Sequence, residues 1–310
     1  MRLNQRFFGD VRRISCTVLL LGAVILFASC ATGIPESEVA PLYYNLGNAY
    51  FDLGEYDKAA EAYLRAIELD ESLVRANYNL VQVFLEKKEF ARAKTYLQEL
   101  ITADPENATL LSTLGYILTV EGNLVKALQI FQGILERDPK NIDALYNTAV
   151  IYWKLEEFTE ARDVFLEVFE EEPDDADTVY NLALLEERLG NSERAIEYLQ
   201  TYTFKKPDDL DAKERLADIY KEEELYAKAL ELYDQILKKD ESRGPVLFEK
   251  AYILLTVVGN IEEGMSYLER AILAGFKEQE KYRQLIEHPD LLERERIENY
   301  IREKNLLPAD

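Results

Sequence analysis

The sequence predicts an all-α chain built as a stack of helical hairpins, on three observations. A small residue returns at a constant interval: Ala59, Ala93, Ala127, Ala161, Ala195 and Ala229 share a period of 34, and Gly264 follows after 35. The same frame carries Leu46, Leu80, Leu114, Thr148, Leu182, Leu216 and Ala251 thirteen places before each small residue, and Tyr63, Leu97, Phe131, Phe165, Leu199, Tyr233 and Leu268 four places after it. Within each period the apolar residues recur at three- and four-residue spacing in two stretches, so each unit is a pair of amphipathic helices. One hairpin alone cannot bury its apolar face, and the units must stack.

Composition narrows the function classes. The chain has 310 residues, 48% hydrophobic and 31% charged, with 36 Lys+Arg against 59 Asp+Glu and a formal charge of −23. Such a chain buries a sizeable core. The segment 1–29 holds four arginines and one aspartate, so the acidic excess lies entirely beyond it. That remainder repels nucleic acid and anionic lipid. His288 is the sole histidine, and the two cysteines, Cys16 and Cys30, fall at the amino-terminal end. Zinc clusters, thiol catalysis and a disulfide scaffold are nearly excluded by this count. No metal or cofactor is expected.

The amino terminus reads as an export signal. Arg2, Arg6, Arg12 and Arg13 precede an uncharged stretch from Ile14 to Phe27, followed by Ala28, Ser29 and Cys30. These are a basic region, an apolar region and a small-residue cleavage site. Phe27-Ala28-Ser29-Cys30 resembles the lipobox of bacterial lipoproteins, which usually has leucine where Phe27 stands. That resemblance implies a signal peptide over 1–29 and an acylated Cys30. The alternative is an uncleaved anchor helix, since Ile14 to Pro35 carries no charge and is long enough to span a bilayer. In both cases the arginines stay cytoplasmic and the rest is exported. Residues 30–39, CATGIPESEV, lack helical periodicity and form a tether of at most about 35 Å.

The repeats then run in order from Ala40. In the first unit Tyr43, Leu46-Gly47, Tyr50, Gly54, Tyr56, Ala59, Tyr63 and Ala66 stand at the signature positions of the tetratricopeptide repeat, which the 34-residue period and these residue types resemble. The resemblance implies a right-handed superhelical solenoid of about seven hairpins over 40–276. Gly47, Ala59 and Ala66 let the two helices of a hairpin approach closely, and aromatics fill the space between hairpins. Pro105, Pro139, Pro173 and Pro207 close four units, and Asn141 or Asp174-Asp175 beside them are placed to cap the next helix. Glu71 and Glu241 replace the closing proline, Thr148 replaces the leucine, and one extra residue is expected near Gly244-Pro245, with an altered stacking angle there. From 277 to 310 the repeat gives way to two helices, Lys277 to Glu287 and Pro289 to Lys304, with Leu285, Ile286, Leu291, Leu292, Ile297, Tyr300 and Ile301 as apolar positions. They are expected to cover the open end of the last repeat.

Candidate sites are few. His288, before Pro289, has no second histidine or cysteine and reads as a turn residue. The run from Glu170 to Asp177 lacks the glycine and spaced glutamate of a calcium loop and reads as an inter-repeat loop and helix cap. Acid pairs occur throughout, so none stands out as a general acid and base.

In the repeat family the fifth and sixth residues of each first helix, with the second, ninth and twelfth, line a concave groove. Here they give Tyr44-Asn45, Tyr78-Asn79, Tyr146-Asn147 and Tyr180-Asn181, with Ser112-Thr113 in the third unit, Asn48, Gln82 and Tyr116 at ninth positions and Trp153 at a twelfth. A carboxamide offers a donor and an acceptor together and pairs with an extended peptide's main chain whatever its side chains. Similar asparagine ladders line the repeats of the nucleocytoplasmic O-linked sugar transferase. The other reading is that Tyr-Asn serves inter-helix packing. Trp153 is expected on the same groove near Tyr116, as a contact residue or as packing. Asp211, Glu214 and Asp218 turn the groove acidic in the sixth unit.

The expected function is a membrane-tethered protein-interaction scaffold of the bacterial cell envelope, binding a partner peptide or helix and catalysing no reaction. Its partners are another envelope protein or peptide and, through the lipid anchor, the membrane; no nucleic acid is expected, and the sequence leaves the oligomeric state open. The alternative is an accessory subunit of small-molecule uptake that holds a ligand or docks a solute-binding protein. Repeats of this kind are interaction surfaces, and they with the cap account for the exported chain.

Overall fold

The computed structural model describes residues 36–307. The signal segment, Cys30 and residues 31–35 of the tether lie outside the described residues, while 36–39, expected as tether, form the first turn of a helix that runs from Glu36 into the first repeat. Those residues hold sixteen α-helices and no strand, in two compact units divided between Glu171 and Glu172.

The first unit contains α1 (Glu36–Asp52), α2 (Tyr56–Leu69), α3 (Val74–Glu86), α4 (Phe90–Ala103), α5 (Ala108–Val120), α6 (Leu124–Leu135), α7 (Ile142–Lys154) and α8 (Phe158–Glu171). Each helix packs on the next, and first helices of successive hairpins also touch, α1 on α3 and α5 on α7. The predicted close approaches are there. Ala59, Ala66, Ala93, Ala127 and Ala161 are fully buried. A Cβ added at Gly47 would lie 2.5 Å from the Tyr63 ring, and one at Gly115 would lie 2.6 Å from the Phe131 ring. Thr148, the departure from leucine, is buried with its hydroxyl lacking a hydrogen-bond partner.

The helix starts follow the caps that the loops supply. Asn107 and Asn141 accept from the amides of Leu110 and Ala144 at 3.2 and 3.1 Å, each three residues into its helix. Asp175 and Asp209 do the same for Thr178 and Ala212 in the second unit, at 2.8 and 3.0 Å. The turn inside each hairpin needs one left-handed residue. Gly54 and Gly122 supply it at φ +73° and +79°, whereas Lys88 and Glu156 hold φ +58° and +61° at the equivalent places.

The second unit contains α9 (Ala176–Arg188), α10 (Ser192–Lys205), α11 (Leu210–Glu222), α12 (Tyr226–Lys239), α13 (Gly244–Ile253), α14 (Ile261–Leu273), α15 (Gln279–Glu287) and α16 (Arg294–Glu303). A π-helical turn over Leu254–Val258 continues α13. This corrects the expected place of the extra residue. From Leu210, the start of α11, to Gly244, the start of α13, is one regular period, whereas from Tyr226 of α12 to Ile261 of α14 is one period and one residue more. The loop at Gly244-Pro245 therefore keeps its length. Ala251 continues the frame of Ala217, and the additional residue is absorbed at the end of the helix, as a π turn absorbs one.

The last two helices close this unit's core. Tyr282, Leu285, Leu291, Ile297, Ile301 and Leu306 are buried in the same cluster as Phe248, Leu255 and Leu268. Leu292 was expected among them and is 54% exposed instead. It sits in the turn before α16, where Leu291 takes the inward place.

Candidate functional site

The candidate groove residues lie on the first helices, and the structure divides them into three fates. Asn79 on α3 is tied to the preceding hairpin: its Nδ2 donates to Asn48 Oδ1 at 2.7 Å, to Tyr63 Oη at 3.2 Å and to Tyr44 Oη at 3.4 Å. Tyr63 also donates to Asn48 Oδ1 at 2.7 Å. Burial, first of all, holds the Tyr63 phenol far above its ordinary pKa, so it remains a donor. Asn48 and Asn79 therefore act as a polar clasp between α1, α2 and α3. Tyr44 joins it from the side, its ring 6.0 Å from that of Tyr63 and 5.3 Å from the Arg75 guanidinium.

Tyrosines and the tryptophan form the second group, held by neighbouring rings or amides. Tyr146 is buried edge-on against Phe165 at 5.3 Å, and Tyr180 stacks at a tilt on Tyr202 at 4.7 Å. Its neighbour Asn181, on the same helix α9, is half-buried. Tyr78 accepts from Asn107 at 3.4 Å. Trp153 is half-buried and packs edge-on against Phe158 at 5.7 Å, at the turn of its own hairpin. The expected neighbour Tyr116 instead meets Phe90, at 6.5 Å between ring centres.

Side chains left open are the third group. Asn45 on α1 is exposed. Asn147 donates Nδ2 to the Asp143 carbonyl one turn back in its own helix at 2.7 Å, which directs its Oδ1 elsewhere. Around Asn147 a cavity of about 190 Å³ opens between α3, α5 and α7, with Gln82, Thr109, Ser112, Thr113 and Tyr116 on its walls. It lies where the third hairpin has Ser112-Thr113 in place of Tyr-Asn.

On the second unit the expected acidic surface is a lattice of ion pairs. Arg243, at the start of α13, pairs with both Asp211 and Glu214 of α11. Arg215 meets Glu187 at 2.8 Å, while Lys221 and Lys281 both reach the buried Glu249 at 2.6 Å. Asp218 accepts from Tyr233 Oη at 2.7 Å. Most of these carboxylates are matched by cations one hairpin on, and such partly buried pairs fix which helix faces which.

Sequence reasoning missed Tyr63 and Tyr233 as polar residues and took them as core aromatics. A signal exists. They are the two tyrosines at that place in the repeat, and each has a side-chain acceptor fifteen positions earlier, Asn48 and Asp218. His288 is half-buried at the end of α15, edge-on to Tyr252 at 5.6 Å, and its Nδ1 accepts from the Asp290 amide at 3.3 Å. In the acidic run Glu171 pairs with Lys140, Asp174 with Lys205, and Asp175 caps α9. Among the described residues no group of three His, Cys, Asp or Glu side chains is placed to hold a metal, and no helix is long and apolar enough to cross a membrane.

Comparisons with known proteins agree with this architecture. Three family models, each described as tetratricopeptide repeat, match the chain: one over residues 40–73, one over 78–142, 146–209 and 180–245, and one over 118–168. A curated protein of Treponema pallidum (strain Nichols), named an uncharacterized lipoprotein, is 38% identical over 88 residues, which are 28% of this chain and 45% of that protein. The chain thus spans less than half the length of that relative. Several solved structures share the fold at 18% identity. A tetratricopeptide repeat protein from Parabacteroides merdae covers 79% of this chain and 97% of its own, with a TM-score of 0.54. Pseudomonas aeruginosa pilF covers 66% and 94% with a TM-score of 0.56. PilW, described as a widely conserved type IV pilus biogenesis factor, covers 66% and 94% with a TM-score of 0.57. With the 34-residue frame, the stacked hairpins and family matches over more than half of its length, the chain belongs to the tetratricopeptide repeat family.

Proposed function

We propose that this chain is a lipoprotein of a bacterial envelope that holds a partner peptide or helix along the first helices of residues 36–171 and catalyses no reaction. The observation that carries the proposal is the set of polar groups on α1, α3, α5 and α7 that packing leaves open: the Asn45 amide, Asn147 Oδ1, and Gln82 and Ser112 beside the cavity. A surface needed only for packing would consume them, as the clasp consumes Asn79. Groups of this kind read an extended main chain. Two or three hydrogen bonds, at a net of about 0.5–1.5 kcal/mol each, against roughly 2–5 kcal/mol for ordering a peptide, give an affinity on the order of micromolar once apolar contacts are added.

Capture in intact cells tests the groove. Replacing Asn45 and Asn147 together with alanine is expected to weaken crosslinking to the partner about tenfold or more with the melting temperature nearly unchanged. Asn79→Ala is the contrast: it removes the donor to Asn48 Oδ1 and Tyr63 Oη, which keep only their bond to each other, and is expected to lower stability by about 1–2 kcal/mol. Undiminished capture by the Asn45/Asn147 variant would place the binding surface elsewhere.

The tether rests on Cys30 after Ala28-Ser29, with support from the lipoprotein name of the Treponema pallidum relative. Cys30→Ala is expected to abolish labelling by a fatty-acid analogue and to leave the chain unprocessed. Labelling that persists in the variant would overturn it.

A further inference from the structure

We infer that the cavity between α3, α5 and α7 is a pocket for one cationic side chain of the bound segment, an arginine by the shape of its acceptors. It exists because the third hairpin departs from its neighbours. Tyr44, Tyr78, Ser112, Tyr146 and Tyr180 occupy the same place in five successive repeats, and only the third lacks a ring. The missing ring leaves about 190 Å³ in the row of first helices, enough for a long side chain.

The walls decide what enters. The Asp143 carboxylate, on the first turn of α7, is exposed and makes no hydrogen bond or ion pair among the described residues. Ser112, Gln82 and the Tyr116 hydroxyl are likewise without hydrogen-bond partners there, and Asn147 has its nitrogen turned to its own helix, with Oδ1 left as an acceptor. The starts of α5 and α7 border the cavity at Ala108-Thr109 and Asn141, and each carries a cap, Asn107 accepting from the Leu110 amide and Asn141 from the Ala144 amide. No lysine, arginine or histidine lines the space. Glu86 on α3 is not part of the lining, but its negative charge lies near Tyr116, whose phenol pKa is raised by burial first and by Glu86 second. A carboxylate with neutral acceptors around it suits a planar, multiply donating guanidinium, and repels an anion. The strongly acidic chain favours a basic partner in the same sense.

This inference rests on the groove reading and adds the identity of one contact. Its test uses the purified full chain and three fluorescent peptides, an extended Gly-Ser segment with a single central arginine, citrulline or glutamate, titrated by anisotropy at low salt. The arginine peptide is expected to bind about tenfold or more tightly than the citrulline peptide, with the glutamate peptide weakest. Asp143→Asn should erase that preference, and Ser112→Tyr, which installs the residue of the four neighbouring hairpins, should remove arginine-peptide binding without lowering the melting temperature. Equal binding of arginine and citrulline peptides, both weakened by Asn45→Ala, would overturn the pocket and leave the main-chain groove standing. Arginine binding that survives Ser112→Tyr, or no binding of any peptide, would overturn the pocket as well, while partner capture in cells judges the groove separately.

Discussion

Phe131→Ala is expected to destabilise the chain by about 3–5 kcal/mol, read as the shift of the urea midpoint. The Phe131 side chain is fully buried on α6 and fills the gap left by Gly115 on α5, within a cluster completed by Ile134, Ala144 and Ile151. Removing the ring leaves a void that helices fixed by both neighbouring hairpins cannot close. The partner position gives the sharper test, because two effects oppose there. In an exposed helix Gly→Ala gains up to about 1 kcal/mol. At Gly115 the new Cβ would lie 2.6 Å from the Phe131 ring, so Gly115→Ala is expected instead to cost about 1–3 kcal/mol. In the Phe131→Ala background the clash is absent, and the same change should turn stabilising. Additive effects of the two substitutions would show that the ring and the glycine do not interlock.

Asp218→Asn is expected to stabilise the chain by about 1–3 kcal/mol at about pH 7.5 and to have no effect below about pH 4. Burial first, and then the nearby charges of Glu249 and Glu214, push the Asp218 carboxyl up to about 6 from its ordinary 3.8, while the Tyr233 hydrogen bond and Lys221 act the other way. A carboxyl raised in the folded state binds its proton there more tightly than in the unfolded chain. Its contribution is therefore most favourable below about pH 4 and is lost as pH rises through about 6. A rise of this size corresponds to about 3 kcal/mol at neutral pH, an upper figure for a group that keeps some contact with water. Asparagine keeps an acceptor for the Tyr233 hydroxyl, which lies 2.7 Å from the carboxylate, and removes the charge that Glu249 and Glu214 repel. Denaturant titrations of both proteins across this pH range check the sign. A variant less stable than the parent at about pH 7.5 would mean that the ionised carboxylate is matched by its surroundings.

The hairpins, their close approaches and most helix starts were legible in the residues because each is a local matter repeated once per period. Ala59 to Ala229 recur because every hairpin must bring two helices together, and Asn141 or Asp175 cap because the second residue past the proline faces the next helix's free amides. Side-chain partners on the first helices were not legible, because they depend on what the neighbouring hairpin supplies. Asn45, Asn79 and Asn147 each follow a tyrosine at one place in the repeat. Asn79 is drawn into the clasp since Asn48 and the hydroxyl of Tyr63 lie opposite it; Asn147 faces a hairpin with Tyr116 and Phe131 at those places and turns to its own backbone. The same holds for Asp211 and Glu214, acidic in the sequence and paired with Arg243 in the fold, and for the extra residue, expected near Gly244 and absorbed instead in the π turn over Leu254–Val258. Periodicity sets what every hairpin has in common, through backbone geometry and apolar burial. Which polar groups remain free, and where a missing ring opens a cavity, is set only when two unlike hairpins meet.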